Sequence, residues 1–314
     1  MSQHGTEYLS RTQIRDLAER SDLMGFWMVA HCWGVIIAAV AMFGFWPNIV
    51  TFVLAVILIG SRQLGLAILM HEAAHNALFK TKALNEFAGE WLCGRPVLAE
   101  LAAYRHYHLS HHRFTQTDKD PDLGLSEKFP TSKASLKRKF LRDITGQTGL
   151  KQLIAQVMTS VRLAGDDDAV DAAKQDMAQA FKARDIWLSL PLVFGIMLAM
   201  GLLSGVWWYG LAFWLLPYLT WFQLVLRVRN IAEHGATEMS ENPLRNVRTT
   251  VAGPVARAIV APYWVNFHLE HHMVMHVPCW QLPRMHLALK NAGIGEQMNV
   301  APGYGAALIE AGWR

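Results

Sequence analysis

Four apolar stretches constrain this chain more than any other feature. They run roughly over residues 24 to 43, 47 to 70, 186 to 203 and 206 to 226. Each is long enough, or nearly so, to cross a hydrocarbon core, which takes about 20 helical residues. The connectors inside each pair, GFWPN and SG, are short and uncharged, so the stretches pair as two hairpins, about 24–70 and 186–226. The basic residues lie almost wholly in the N-terminus, in 72–185 and in 227–314. The positive-inside rule then places all three on the cytoplasmic side. Composition agrees: 17% of residues are charged and 52% hydrophobic, whereas about a quarter charged is usual for a soluble domain.

Several other classes drop out. Cys32, Cys93 and Cys279 stand far apart with no CxxC spacing, which indicates neither a disulfide framework nor a cysteine-based metal site. The net charge of +4 is not gathered on a recognisable nucleic-acid module, so no nucleic-acid partner is expected. The N-terminus is polar, carries both signs of charge and lacks an apolar core with a cleavage site, so it reads as retained rather than as a signal peptide.

Arg62 lies inside the second stretch, where ionisable groups are expensive. If that helix outruns the bilayer, Ser61, Arg62 and Gln63 stand near the interface; the other reading is a role at a substrate tunnel or site. Residues 84–101 are apolar but interrupted by Gly94, Arg95 and Pro96, which fits an interfacial or re-entrant helix better than a span. The run TSKASLKRKFLRD reads equally as a solvated helix face or a patch on anionic headgroups. LKQLIAQVMTSVRLA has helical spacing, Asp166, Asp167 and Asp168 read as a break and cap, and a further helix is expected to about Lys182.

The second constraining feature is histidine. HEAAH supplies His71 and His75, RHYHLSHHRF supplies His108, His111 and His112, and NFHLEHHMVMHVP supplies His268, His271 and His272. At this histidine frequency roughly 0.03 chance matches to HxxHH are expected in the chain; it has two. Positions i, i+3 and i+4 share a helix face, so each cluster can point its imidazoles one way. Eight imidazoles exceed what one tetrahedral zinc takes and suit two metals of higher coordination number. Imidazole-rich sites suit Fe, Cu, Ni or Zn, and of these only redox iron or copper supports oxygen chemistry. HEAAH alone also fits a zinc peptidase, with Glu72 activating water, but that reading leaves both HxxHH clusters unused. A metal transporter or sensor would want ionisable residues lining a path through the spans, which are almost free of them.

The remaining histidines are less informative. His4 and His31 receive no role, while His106, His276 and His286 flank the clusters as second-sphere donors, substrate contacts or bystanders. His234, in RVRNIAEHGAT, follows the fourth stretch and lies one helical turn beyond Asn230.

In these boxes, their order and their places relative to the hairpins, the chain resembles the integral-membrane fatty acid desaturase and hydroxylase superfamily. The resemblance covers nearly all of residues 1–314, read as a single desaturase-like domain. It implies an all-α integral membrane fold: four transmembrane helices in two hairpins with a cytoplasmic helical cap, 71–185 and 227–314, carrying the histidine boxes. It implies two iron ions held by His71, His75, His108, His111, His112, His268, His271 and His272, with His234 as a ninth ligand. Asn230 matches an asparagine that contacts one metal through water. Glu72 becomes a neighbour that supports the ligands, with no catalytic group beyond the ligands themselves. HNALF, YHLSHHRF with the following TDKDPDL, and the Glu233–His234 pair are similar to the sphingolipid Δ4-desaturase branch. The tail resembles HHxxP…P…LP endings of acyl-lipid desaturases and carotenoid ketolases, but Met273, Val274, Met275 and His276 depart from that pattern before Val277 and Pro278. Asp118, with Asp120 and Asp122, reads either as a partner orienting histidines or as part of an acidic turn around Pro121.

The activity implied is O₂-dependent desaturation of an acyl chain of a fatty acid or lipid. The alternative is hydroxylation or ketolation of a lipid, alkane or carotenoid on the same scaffold. No cytochrome b5-like or cysteine-rich segment is evident in the chain, so a separate electron carrier is expected: a ferredoxin, rubredoxin or cytochrome b5. The alanine-rich sequence points to a bacterial cytoplasmic membrane with both termini cytoplasmic; an endoplasmic reticulum protein would show the same topology.

Overall fold

The computed structural model describes residues 4–164 and 186–313. The expected break at Asp166, Asp167 and Asp168 and the helix beyond it lie outside the described residues. Helices dominate: α1 (Arg11–Leu17), α2 (Asp22–Phe45), α3 (Ile49–Ala74), α4 (Lys82–Phe87), α5 (Leu101–Phe114), α6 (Leu123–Ser126), α7 (Lys133–Ile144) and α8 (Gln147–Ala164). After the undescribed segment come α9 (Ile186–Ser204), α10 (Leu216–Leu219), α11 (Trp221–His234), α12 (Pro254–Ile259), α13 (His268–Met273), α14 (Leu282–Asn291) and α15 (Tyr304–Glu310). Two short strands, Thr249–Thr250 and Val300–Ala301, pair in parallel. The class is all-α, as expected.

Among the described residues, four helices are long and apolar enough to cross a membrane: Asp22–Phe45, Ile49–Ala74, Ile186–Ser204 and Leu211–His234, the last including the π-helical turn Leu211–Leu215. The chain is an integral membrane protein. The first hairpin turn is set by local chemistry. Pro47 cannot continue a helix, and Asn48 caps α3, its Oδ1 accepting from the N–H groups of Val50 at 2.9 Å and Thr51 at 3.1 Å. Ser21 caps α2 through the N–H of Met24 at 3.3 Å.

Helix α3 is the central post. Its 26 residues span about 39 Å at 1.5 Å per residue, some 9 Å more than a hydrocarbon core. The excess is long enough to carry His71 and His75 past the end of an apolar slab of that thickness. The fourth span likewise runs further than its apolar stretch suggested: the helix continues past 226, and His234 is its last residue rather than one beyond its end. A polar face can extend a membrane helix once it leaves lipid, so hydropathy marks where the slab ends, not where the helix does.

Almost every α3 residue from Ile59 onward is buried. Trp221 donates to Ser61 Oγ at 3.0 Å, and Gln63 Nε2 donates to the Trp214 carbonyl at 2.9 Å. Arg62, between them, is buried, donates to the Ala258 carbonyl and lies 5.8 Å from the Tyr263 ring centroid. The segment Pro254–Trp264 thus packs alongside the post and supplies the partners this charge needs. Residues 84–101 do not span. They form α4, a π-helical turn Ala88–Gly94 and a 3₁₀ turn Arg95–Val97. A Cβ at Gly89 would collide with that of Ala73, so the π turn needs glycine to press against the end of α3. Glu90 ties this segment to α5, accepting from Arg95 Nε at 2.5 Å and from the Leu101 N–H at 2.7 Å.

Candidate metal centre

Four helices deliver histidines to one place. α3 ends with His71 in its last turn and His75 at its C-cap. α5 brings His108, His111 and His112, the final residue of α11 is His234, and α13 brings His268, His271 and His272. The nine imidazoles fall into two groups, within each of which the nitrogens lie within 4.8 Å of one another. One holds His71, His75, His108, His112 and His271; the other holds His111, His234, His268 and His272.

The division follows from helix geometry. In each HxxHH box the first and last histidines, four apart, share a face. The third stands about 100° round from the last at 3.6 residues per turn. Accordingly His108 and His112 enter the first group while His111 turns to the second, and His268 and His272 enter the second while His271 turns to the first. The two boxes exchange their middle histidines, which locks α5 and α13 together across both groups. His112 and His272 stack at the seam, with ring centroids 4.1 Å apart.

Spacing within the groups suits metal coordination. The Nε2 atoms of His108 and His112 lie 3.0 Å apart, as do those of His112 and His271. In the other group His234 and His268 are separated by 2.8 Å and His268 and His272 by 3.1 Å. Metal–imidazole bonds of about 2.1 Å at right angles place neighbouring nitrogens about 3 Å apart. Buried ring nitrogens of His71, His75, His112, His234 and His271 have no hydrogen-bond partner. Orphaned buried polar atoms are costly. His71 and His75 have both ring nitrogens orphaned among the described residues, and a bound cation would satisfy one on each. In His112, His234 and His271 the orphan is Nδ1, across the ring from the Nε2 that faces the group. The donor set is rich in imidazole and free of thiolate, which suits a first-row transition metal.

Protonation points the same way. Burial, reinforced by neighbouring histidine charges, pushes His108, His112 and His272 well below the ordinary imidazole value. In His268 and His271 burial acts again, with Arg229 adding to the neighbouring histidines. The neutral ring is the form that ligates. His111 is the exception. Burial lowers it, but a hydrogen bond from its Nδ1 to Asp120 Oδ1 at 2.8 Å and the charges of Asp122 and Glu233 outweigh that, so it is raised.

Further side chains steady the rings. Asp120 also accepts from the backbone N–H groups of Gln116 and Asp122, both at 2.8 Å, so one carboxylate organises the loop after α5. Thr115 Oγ1 lies 3.3 Å from His272 Nδ1 and donates to the His111 carbonyl at 2.7 Å. Tyr104 stacks on His108. Glu233 Oε2 lies 3.7 Å from His268 Nε2, and its Oε1 accepts from Arg229 at 2.7 Å. Glu270 is fully buried inside the third box, joined to His286 Nδ1 and to Thr249 Oγ1, each at 2.5 Å.

The residues singled out from sequence are distributed unevenly. All nine histidines converge. Glu72 approaches His71 Nδ1 to 3.3 Å, without the alignment of a hydrogen bond, and accepts from the Cys279 N–H at 2.8 Å, tying the first box to the loop after the third. Asn230 is half-buried one turn before His234. Asp118 is a correction: it is exposed, and the carboxylate on a histidine belongs to Asp120. The chain turns between them, with the Asp120 N–H bonded to the Thr117 carbonyl, which sends residue 120 inward. His106 and His276 are exposed, and His31 reaches Tyr263 OH at 3.1 Å. His286 meets Glu270. The Glu270 link was missed; the one available signal was a carboxylate inside HLEHH.

Fold and site together define a membrane-embedded helical protein carrying two adjoining groups of histidines, each of which could hold a metal ion. The fatty acid desaturase family matches over residues 46–298, and the chain belongs to it. It is also similar to a dihydrorhizobitoxine desaturase from Bradyrhizobium elkanii, 29% identical over 240 residues. That match covers 73% of this chain and 65% of the relative.

Proposed function

We propose that this protein is a membrane-bound di-iron enzyme that uses O₂ and an external electron donor to desaturate an acyl chain of a fatty acid or lipid. The observation carrying this reading is the pairing of nine imidazoles, seven buried and two half-buried, into groups of five and four in a member of the desaturase family. His71, His75, His108, His112 and His271 would hold one iron, and His111, His234, His268 and His272 the other. Bound iron supplies the redox chemistry with O₂ that removes hydrogen from an unactivated C–H bond, which side chains alone do not perform.

The protein's own part is orientation and exclusion of water. Asp120 fixes the tautomer of His111 by accepting at Nδ1, which turns Nε2 toward its group. Glu72 holds the first box against the loop after the third. Asn230 is assigned a water-mediated contact to a metal. Burial of the histidines keeps bulk water from the reacting centre. A ferredoxin, rubredoxin or cytochrome b5 is the proposed donor, the bacterial inner membrane the proposed location, and both termini are proposed to be cytoplasmic.

The test is expression in a host of known lipid profile, with iron analysis of the purified protein and mass spectrometry of total lipids and pigments. Dihydrorhizobitoxine, the compound in the relative's name, is assayed beside them. The expected result is two irons per chain and a product lighter by two hydrogens. A gain of one oxygen would select a hydroxylase, and a changed carotenoid a ketolase. Full activity without iron would overturn the reading.

A further inference from the structure

Helix α8 buries one side and leaves the other bare. Leu150, Ile154, Met158 and Val161 are 50, 49, 67 and 55% exposed. At 3.6 residues per turn they fall within about 80° of one another, a single stripe along the helix. Lys151 flanks the stripe, and Gln152 lies on the far side, both exposed. The inward side is anchored: a Cβ at Gly149 would come within 2.5 Å of the Leu219 carbonyl oxygen, and Gln156 Nε2 donates to the Leu98 carbonyl at 2.7 Å. Leu219 closes α10 within the fourth span. The bare stripe is therefore mounted directly on a membrane helix.

The preceding helix is built differently but suits the same surroundings. On α7, Leu141 and Ile144 are exposed among Lys137, Arg138 and Arg142. The one acid inside this helix, Asp143, is buried and committed to Arg227, whose NH2 donates to its Oδ1 at 2.9 Å. The Lys139 amine is lowered by partial burial and then by the charges of Arg227, Arg142, Lys128 and Arg138, the mark of a cation cluster short of counter-ions. Exposed apolar side chains interleaved with cations match the boundary where headgroups meet acyl chains.

We propose that α7 and α8 form an amphipathic hairpin seated on the bilayer surface, the α8 stripe entering the acyl boundary and the α7 cations holding anionic phospholipid headgroups. The stripe is continuous with the membrane-spanning surface through its contact at Leu219, and the surplus positive charge selects an anionic lipid surface over a neutral one. This placement does not depend on the metal or the reaction, so it stands or falls apart from the proposed activity.

The test uses the full-length protein in lipid nanodiscs. All three native cysteines are buried, so spin labels on Ile154→Cys and Gln152→Cys report single sites. The label at 154 is expected to favour collisions with oxygen and the label at 152 with a water-soluble nickel chelate. Nickel access dominating at both sites would overturn the proposal, as would dipolar broadening at 154, which would assign the stripe to a second copy. In discs mixing phosphatidylglycerol with phosphatidylcholine, the protein is expected to enrich phosphatidylglycerol around itself. Replacing Lys137, Arg138, Lys139 and Arg142 with Gln is expected to cut that enrichment by roughly fivefold or more. Unchanged enrichment in this variant, or its abolition in wild type by free inorganic phosphate, would overturn the headgroup assignment.

Discussion

His111 and Asp120 are joined by a 2.8 Å hydrogen bond between Nδ1 and Oδ1, with each side chain only 2% exposed. In the histidine set, His111 is the member that burial alone would lower and a carboxylate raises instead. The contact fixes both the tautomer and the ring plane of a group that α5 sends to the second cluster. A carboxylate behind a ligating histidine also makes the ring a stronger donor.

Asp120→Asn should therefore weaken the centre: it removes the charge behind His111, and its single amide oxygen cannot replace both carboxylate oxygens, so either the His111 and Asp122 contacts or the Gln116 contact is lost. Metal affinity is expected to fall by about 10- to 100-fold, read as iron retained against a competing chelator, with helical content unchanged. Asp118→Asn, at an exposed neighbour, serves as the control and should retain iron as wild type does. Equal retention in the two variants would remove Asp120 from the site.

His234→Ala addresses the group of four. Only His111, His268 and His272 would remain there, while the group of five keeps every member. Iron content is expected to fall from two toward one per chain, with turnover lost and membrane insertion preserved. A variant that holds two irons and normal activity would refute the assignment of His234.

The spans, the boxes and their convergence were legible because each rests on a repeating signal: apolar length for the spans and i, i+3, i+4 spacing for the histidines. Spacing splits each HxxHH box, setting its middle histidine apart from the other two, but which group each part joins was not legible. It depends on how α5 and α13 face each other, which spacing within one helix does not encode. Arg62 was ambiguous for a related reason, since its partner Ala258 lies 196 residues away. Asp120 and Asp118 differ by two residues in an acidic turn, and only the course of the backbone decides which points inward. His234 sat past an apolar stretch yet inside the helix, because hydropathy tracks lipid contact rather than hydrogen bonding.

Glu270 provides a stability test. Its carboxylate bridges His286 and Thr249 with no surface exposed, and it lies on the six-residue helix that carries three of the histidines. Glu270→Gln keeps the volume but alters one donor–acceptor match and is expected to cost about 1–3 kcal/mol. Glu270→Ala takes away the acceptor of His286 Nδ1 and of the Thr249 hydroxyl, leaving Thr249 Oγ1 only its bond from the Leu269 N–H, and should cost about 3–5 kcal/mol. Thermal unfolding in detergent, with iron removed so that metal binding does not mask the change, checks both. An alanine variant as stable as wild type would show that the bridge contributes nothing to holding α13.

Acid sensitivity of the metal-free protein tests the buried neutral histidines as a set. His108, His112, His268, His271 and His272 are all lowered well below the ordinary 6.5. Below pH 6.5 the unfolded chain takes up protons that these folded rings refuse, so stability is complete above that value and declines as pH falls. Each isolated histidine would contribute roughly 1.4 kcal/mol of loss per pH unit, and mutual coupling reduces the sum. His111 has the opposite sign: raised in the fold, it adds stability below 6.5 and loses that contribution as pH rises through its folded value. Five groups oppose one, so the unfolding midpoint of chelated protein is expected to fall steadily between about pH 7 and pH 5. Iron-loaded protein should resist further at neutral pH, because protons must first displace the metal from its nitrogens. A midpoint that stayed flat across that window in the chelated form would mean that these imidazoles are hydrated or already charged, and the centre would lose the neutral donor set it needs to bind metal.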